Sequence, residues 1–359
     1  MGTAPFDWTP RFRGHPRATT AALAALVVLI LWGVLTGSRI PASAISDDPQ
    51  QTDSALYGAT IDRMDDGLSY YQAVAVEQPA RGYPTSPPMT VREPTLAWFT
   101  HVLGDHVMQW LLGLLVAVTI AVSVPLLERT ERGRTSWAAT ACLATLSIGI
   151  FALAKGVHVH EVWVSPLVYL GLVARGVGWT RLSVAALLAA ALIRELVAPI
   201  MLIMLVLALL TRRRVEALLW VGALVVFAGF YALHLVRVHE MGATSGSESP
   251  GWVALGGWPF VVDAVRASSV LALLPFWVAA VLVPVALLGW VSRTGPLFET
   301  VSAFLLVYSL VFCVVGRPDN AYWGAFLGIL LVPGIAFGVG FLVSVAGGQV
   351  RPRRPSLAR

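Results

Sequence analysis

The feature that most constrains this chain is a succession of apolar runs, each about 17–25 residues long, the length that crosses a bilayer as a helix. The first, "ATTAALAALVVLILWGVLTG" at residues 18 to 37, contains no charge at all. Backbone groups in hydrocarbon must find their hydrogen bonds within the segment, and no alternation of period two suggests a barrel. Only 13% of the 359 residues are charged and 57% are hydrophobic, whereas about a quarter of a soluble domain is charged. The expected fold is an all-α polytopic membrane helical bundle.

Hydropathy predicts ten spans, near 19–37, 107–127, 137–154, 162–174, 182–193, 197–211, 217–236, 269–291, 298–315 and 325–346. The fifth and sixth meet at "IRELVAP", residues 193 to 199, and read equally as one bent pair. The arginines set the sidedness. Arg11, Arg13, Arg17, Arg129, Arg132, Arg134, Arg175, Arg181, Arg212, Arg213, Arg214 and Arg293 fall in alternate connections, and Arg351, Arg353, Arg354 and Arg359 in the tail. Basic residues near span ends stay cytoplasmic, so both termini are expected inside. The reading is one integral-membrane domain, 1–346, with a basic cytoplasmic tail, 347–359. "PASA", residues 41 to 44, resembles a cleavage site, but the apolar run before it is longer than a signal peptide's core, which favours a retained anchor. The net charge of +5 follows from these inner arginines and does not call for nucleic acid. The two cysteines, Cys142 and Cys313, lie in predicted spans and read as packing residues. No glycine-rich phosphate loop and no room for a soluble nucleotide-binding domain are present on the inner side, which argues against an ATP-driven pump.

The chemistry is therefore expected outside. The first extracytoplasmic loop, 38–106, contains "MDDGLSYYQA", residues 64 to 73. Ile61, Met64, Leu68, Tyr71 and Ala75 recur at helical spacing and predict one amphipathic helix in the outer interface. Asp65 lies at the edge of that stripe and Asp66 nearly opposite it. Gly67 is the weak point. The proline-rich "GYPTSPPMTVREPTLAWF", residues 82 to 99, then brings Arg92 and Glu93 to the start of the second span.

Further ionisable residues fall at outer span ends: Lys155, Glu161, Arg194, Glu195, Arg317 and Asp319. Charges at such depth are costly unless paired, hydrated or used. Two readings stand side by side. The cations meet a ligand, or Arg194 with Glu195 and Arg317 with Asp319 form local ion pairs that only tie helices together. "HVHE", residues 158 to 161, places His158, His160 and Glu161 in ligand-like order, but with no further ligand a divalent metal is not favoured. Tyr322 and Trp323 fit an interfacial aromatic belt or a sugar-stacking surface. The loop 237–268 opens flexibly with "HEMGATSGSES" and closes with the tryptophan-rich "GWVALGGWPFVVDAV", which reads as a lid or as packing.

"DDGLSYYQAVAVEQPARGYP" followed by "REPTLAWF" resembles the first extracytoplasmic loop of the GT-C superfamily, polytopic glycosyltransferases that use polyprenyl-phosphate sugars. "HEVW" (160–163), "LIRELVAPIML" (192–202) and "GRPDNAYWG" (316–324) are similar to a bacterial branch of it. No Asp-x-Asp triplet of the metal-assisted type is present. The resemblance implies a polyprenyl-phosphate sugar donor, a lipid, glycan or protein acceptor, and no required cofactor. It implies Asp65 and Asp66 as the pair supplying the general base. Arg92, Lys155, His158, His160, Glu161, Arg194, Glu195, Arg317, Asp319, Tyr322 and Trp323 become the candidates for donor phosphate and substrate. A lipid-linked sugar flippase, or a non-catalytic assembly partner, are the alternatives. A flippase needs polar groups at mid-membrane depth, where the predicted spans have almost none. Richness in arginine and alanine with a single lysine suggests a bacterial plasma membrane, with membrane lipids as surroundings.

Overall fold

A computed structural model describes residues 9–40, 52–130, 156–241 and 247–347. The described chain is mostly helical. Helix α1 spans Pro16–Thr36, α2 Asp53–Asp65, α3 Tyr70–Ala80, α4 Thr95–Leu103 and α5 Asp105–Thr130. After residue 156 come α6 (His160–Gly176), α7 (Thr180–Ile193), α8 (Ala198–Leu210) and α9 (Arg214–Glu240). The remainder are α10 (Gly257–Ala267), α11 (Phe276–Val291), α12 (Pro296–Val314), α13 (Ala325–Gly328) and α14 (Leu331–Ala346).

Helices fall where the apolar runs place them, but fewer are full spans than hydropathy predicts. Among the described residues α1, α5, α9 and α12 are long and apolar enough to cross a membrane. The pair Pro318–Gly328 and Leu331–Ala346, bent by 65°, makes a fifth if it is one span. Helices α7 and α11 and the segment Glu195–Leu210 are apolar but shorter. At 1.5 Å per residue a 14-residue helix covers about 21 Å of a hydrocarbon core about 30 Å thick. Hydropathy averages over the break at "IRELVAP", whereas the backbone stops at Arg194, which is extended (φ −150°) and caps α7. The predicted span at 137–154 and the tail from 348 onward lie outside the described residues.

The predicted single interface helix is two helices. Thr52 caps α2 by accepting from the Ala55 amide at 3.2 Å. Gly67, with φ +98°, ends the α2 turn in a conformation that side chains avoid. Ser69 and Gln72 form a capping box that restarts the chain as α3. The stripe therefore survives only as far as Ile61 and Met64, which are buried. Beyond the break the buried face of α3 is Tyr70, Ala73, Val74, Glu77 and Gln78.

The helices make one body with two polar ends. The α11–α14 contact forms its tightest seam: a Cβ on Gly289 would lie 2.0 Å from the Gly334 carbonyl, so only glycine fits. Trp290 beside it donates from Nε1 to the Leu330 carbonyl at 2.9 Å. One end of the body gathers segments assigned to the inner side. Thr9 and Pro10 pair antiparallel with Thr294 and Arg293, and Arg175 of α6 meets Glu216 of α9 and Thr300 of α12. The other end gathers 38–40, 52–106, 156–161, 247–274 and 317–322, and it holds the large cavity.

Candidate functional site

The cavity encloses about 910 Å³ and is walled by α2, α3, the 83–97 segment, 158–160, the end of α10 and 317–322. Its lining is rich in hydroxyl, aromatic and cationic side chains, with apolar patches from Leu56, Ile61, Val74, Leu96 and Ala97.

Asp53, the first residue of α2, lines the cavity, and its Oδ1 accepts from the Tyr83 hydroxyl at 2.9 Å. One turn along, Tyr57 accepts from Nε of Arg92 at 3.2 Å, and Nη2 of Arg92 donates to the Tyr322 hydroxyl at 3.3 Å. Burial, and then the Asp53 charge, push the hydroxyls of Tyr57 and Tyr83 well above the usual phenol range. Both therefore stay protonated and able to donate. Arg92 lines the cavity and, among the described residues, has only neutral hydroxyl partners and no ion pair. It is thus a cavity cation whose N–H groups no carboxylate holds, the state in which a guanidinium fork takes phosphate or carboxylate.

Beneath Arg92 lies a buried ionic layer. Arg194 is fully buried; its Nε donates to Glu161 Oε1 at 2.8 Å and its Nη1 to both Glu195 oxygens at 2.6 and 2.8 Å. Glu93 is also buried, and neither of its oxygens has a donor among the described residues. Burial, and then the neighbouring Glu195, push its carboxyl well above the usual range. Both effects favour the protonated carboxyl over the charged one.

The sequence candidates divide sharply by position. Arg92, His158, His160, Arg317, Asp319 and Tyr322 line the cavity. Glu161, Arg194 and Glu195 form the layer below it, so Arg194 acts as an ion-pair centre and not as a cavity cation. Arg317 is saturated: it binds Asp319 through Nε and Nη2 at 3.1 and 2.7 Å, and Ser249 and Pro250 through Nη1 at 3.3 and 2.6 Å. It clamps the segment after residue 247 against the cavity rim. Trp323 is buried against Phe312 and does not line the cavity. Lys155 lies outside the described residues.

Asp65 and Asp66 do not reach the cavity. Asp65 is exposed and pairs with His101 Nδ1 at 2.5 Å, and Asp66 ends α2 at the surface. They stand at the opposite end of α2 from Asp53, about 18 Å along a helix that rises 1.5 Å per residue. His158 and His160 diverge. His158 meets Asp105, whereas the His160 ring packs edge-on against Tyr57 at 4.7 Å. Among the described residues no three His, Cys, Asp or Glu side chains gather as a metal site.

Asp53, Tyr57, Tyr83, Gln78 and Arg266 were not singled out by sequence reasoning, yet all line the cavity. The signal available was Thr52-Asp53 at the end of the polar stretch, a helix-start pattern that places Asp53 in a first turn. Compared with known proteins, the chain matches no family model, no curated protein and no solved structure. The residues themselves carry the functional reading.

Proposed function

We propose that this chain is an integral-membrane glycosyltransferase that moves a sugar from a polyprenyl-phosphate donor to a lipid, glycan or protein acceptor. The observation that carries the reading is the pairing, in one hydroxyl-lined cavity, of a carboxylate, Asp53, with a cation that has no ion-pair partner among the described residues, Arg92. In the transfer the bond between the anomeric carbon and the phosphate oxygen breaks, and its electrons leave with the phosphate. The acceptor hydroxyl oxygen bonds to the same carbon and gives up its proton. Asp53 is the group placed to take that proton, and Arg92 the group placed to stabilise the charge gained by the phosphate. No nucleotide is needed, since the activated bond is in the donor.

The wall of the cavity suits a lipid substrate. Leu96 and Ala97 of α4 face the cavity, while Trp98, Phe99, Val102 and Leu103 of the same helix are exposed and continue into exposed Val107 and Trp110 of α5. A prenyl chain can lie along this apolar surface while its phosphate reaches Arg92. The cavity end then corresponds to the extracytoplasmic face of a bacterial plasma membrane, with the Arg175 and Arg293 end in the cytoplasm. In this reading the termini lie inside, in keeping with the arginine distribution.

The test is transfer by the purified protein in lipid nanodiscs, with a panel of labelled polyprenyl-phosphate sugars and extracted membrane acceptors. Asp53→Asn is expected to lower transfer by about 100-fold or more, the scale of a lost general base. The Asp65→Asn/Asp66→Asn double variant is expected to transfer normally. Normal transfer by Asp53→Asn removes the assignment, and no binding of any prenyl phosphate by the wild-type protein removes the reading.

A further inference from the structure

One pair of side chains at the cavity has no part in the scheme above. Asp105 opens α5 just after Gly104 (φ +77°), and its Oδ1 lies 2.9 Å from Nε2 of His158. His158 lines the cavity; Asp105 does not. The carboxylate is about half exposed, the imidazole only 18%. With Nε2–H donated to Asp105, the other ring nitrogen is left as an acceptor. That nitrogen, Nδ1, has no hydrogen-bond partner among the described residues.

One neighbour of Nδ1 is a glycine. A Cβ on Gly58 of α2 would stand 3.4 Å from Nδ1 and 3.6 Å from Cε1. Gly58 follows Tyr57, the partner of Arg92, and lies one turn beyond Ser54, which also lines the cavity. His158 and Arg92 thus approach α2 at consecutive residues, one turn from Asp53. The molecule contains an internal contrast. His101 and Asp65 form the same kind of pair, at 2.5 Å, but both are well exposed and away from the cavity.

We propose that Asp105 aims His158 into the cavity, where Nδ1 accepts a hydrogen bond from a hydroxyl of the sugar carried by a lipid-phosphate ligand. Asp105 is then a positioning residue and His158 the ligand contact, in the way a carboxylate on one ring nitrogen fixes the tautomer of an imidazole that works through the other. The ligand class rests on the proposed function; the aimed imidazole rests on geometry alone.

The experiment compares the affinity of farnesyl phosphate with that of mannosyl and glucosyl farnesyl phosphate, for protein in nanodiscs. The wild-type protein is expected to prefer at least one sugar-bearing ligand. Asp105→Ala and His158→Phe are expected to lose about fivefold on that ligand and nothing on farnesyl phosphate, the scale of one hydrogen bond. Asp105→Asn, which keeps an oxygen to accept from Nε2, restores most of the loss. Gly58→Ala sets a methyl before Nδ1 in a helix that alanine favours, so it is expected to reproduce the Asp105→Ala loss in a well-folded protein. His101→Gln changes neither affinity. Equal weakening of both ligands, or no change in Gly58→Ala and Asp105→Ala, reduces the pair to a structural tie and overturns the proposal. Binding of both ligands without preference overturns the dyad while leaving the phosphate site. Binding of neither removes the ligand class, and with it both readings.

Discussion

Two buried arginines, one at each end of the body, show what separates a structural ion pair from a site. Arg175 is almost fully buried, and Nε binds Glu216 Oε1 at 2.6 Å while Nη1 binds Thr300 at 2.6 Å. Glu216 also accepts from Trp220 Nε1 at 3.3 Å and from Arg213 at 3.4 Å. Its charges are matched locally, and none of its residues lines the cavity at the other end. Arg194 at the other end is matched in the same way by Glu161 and Glu195. Above it, however, sits Arg92, which faces the cavity with hydroxyls as its only hydrogen-bond partners among the described residues. Burial alone does not mark a functional arginine, because a matched pair is a tie between helices. A cation facing a cavity with no carboxylate on its N–H groups leaves those groups for a ligand.

This contrast is sharpest in what breaks each cluster. Glu216→Gln leaves the buried Arg175 guanidinium without its carboxylate, and Glu161→Gln leaves Arg194 with Glu195 alone; each breaks a buried pair and is expected to destabilise the protein, by about 3–5 kcal/mol at most, read by thermal unfolding in detergent. Little loss at either site would show that the charges are not held as a buried pair. Arg92→Gln is the opposite case. Its stability is expected to change by less than about 1 kcal/mol, while prenyl-phosphate affinity falls roughly tenfold or more, as for a charge-assisted hydrogen bond. A stability loss as large as that of Glu161→Gln would return Arg92 to the structural class.

Glu93 gives a smaller, pH-dependent effect. Its carboxyl is pushed up by burial and by Glu195, so the native state binds a proton that the unfolded chain releases at lower pH. Glu93's contribution to stability should therefore be full below the ordinary carboxyl range and be lost as pH rises through its raised value. In Glu93→Gln the fall over that window should disappear; a titration curve parallel to wild type would mean that Glu93 carries no proton in the fold. The smallest effect belongs to Asp65→Asn and Asp66→Asn, expected within about 0.5 kcal/mol in unfolding and unchanged in prenyl-phosphate binding.

Much of the body was legible before folding was considered. Helix positions follow the apolar runs, and "IRELVAP" marks the break at Arg194. The resemblance put Arg92 and His158 among the substrate candidates, and both line the cavity. The sequence left open whether Arg317 and Arg194 bind a ligand or a neighbour, and the geometry gives each its neighbour. The count of full spans was less legible, because a hydropathy window does not see where a backbone stops or bends.

What the sequence by itself determined is a helical body with lipid-compatible surfaces and its polar residues confined to the ends. Those properties depend on the length and composition of continuous segments, which are local. Which carboxylate faces the cavity is not local. Asp53 and Asp65 are the first and last residues of one 13-residue helix. Nothing in their own segment distinguishes a base from a surface charge. Tyr83, Arg92 and Tyr322 gather around the first turn of α2 from distant parts of the chain, and that packing puts Asp53 inside and leaves Asp65 to water.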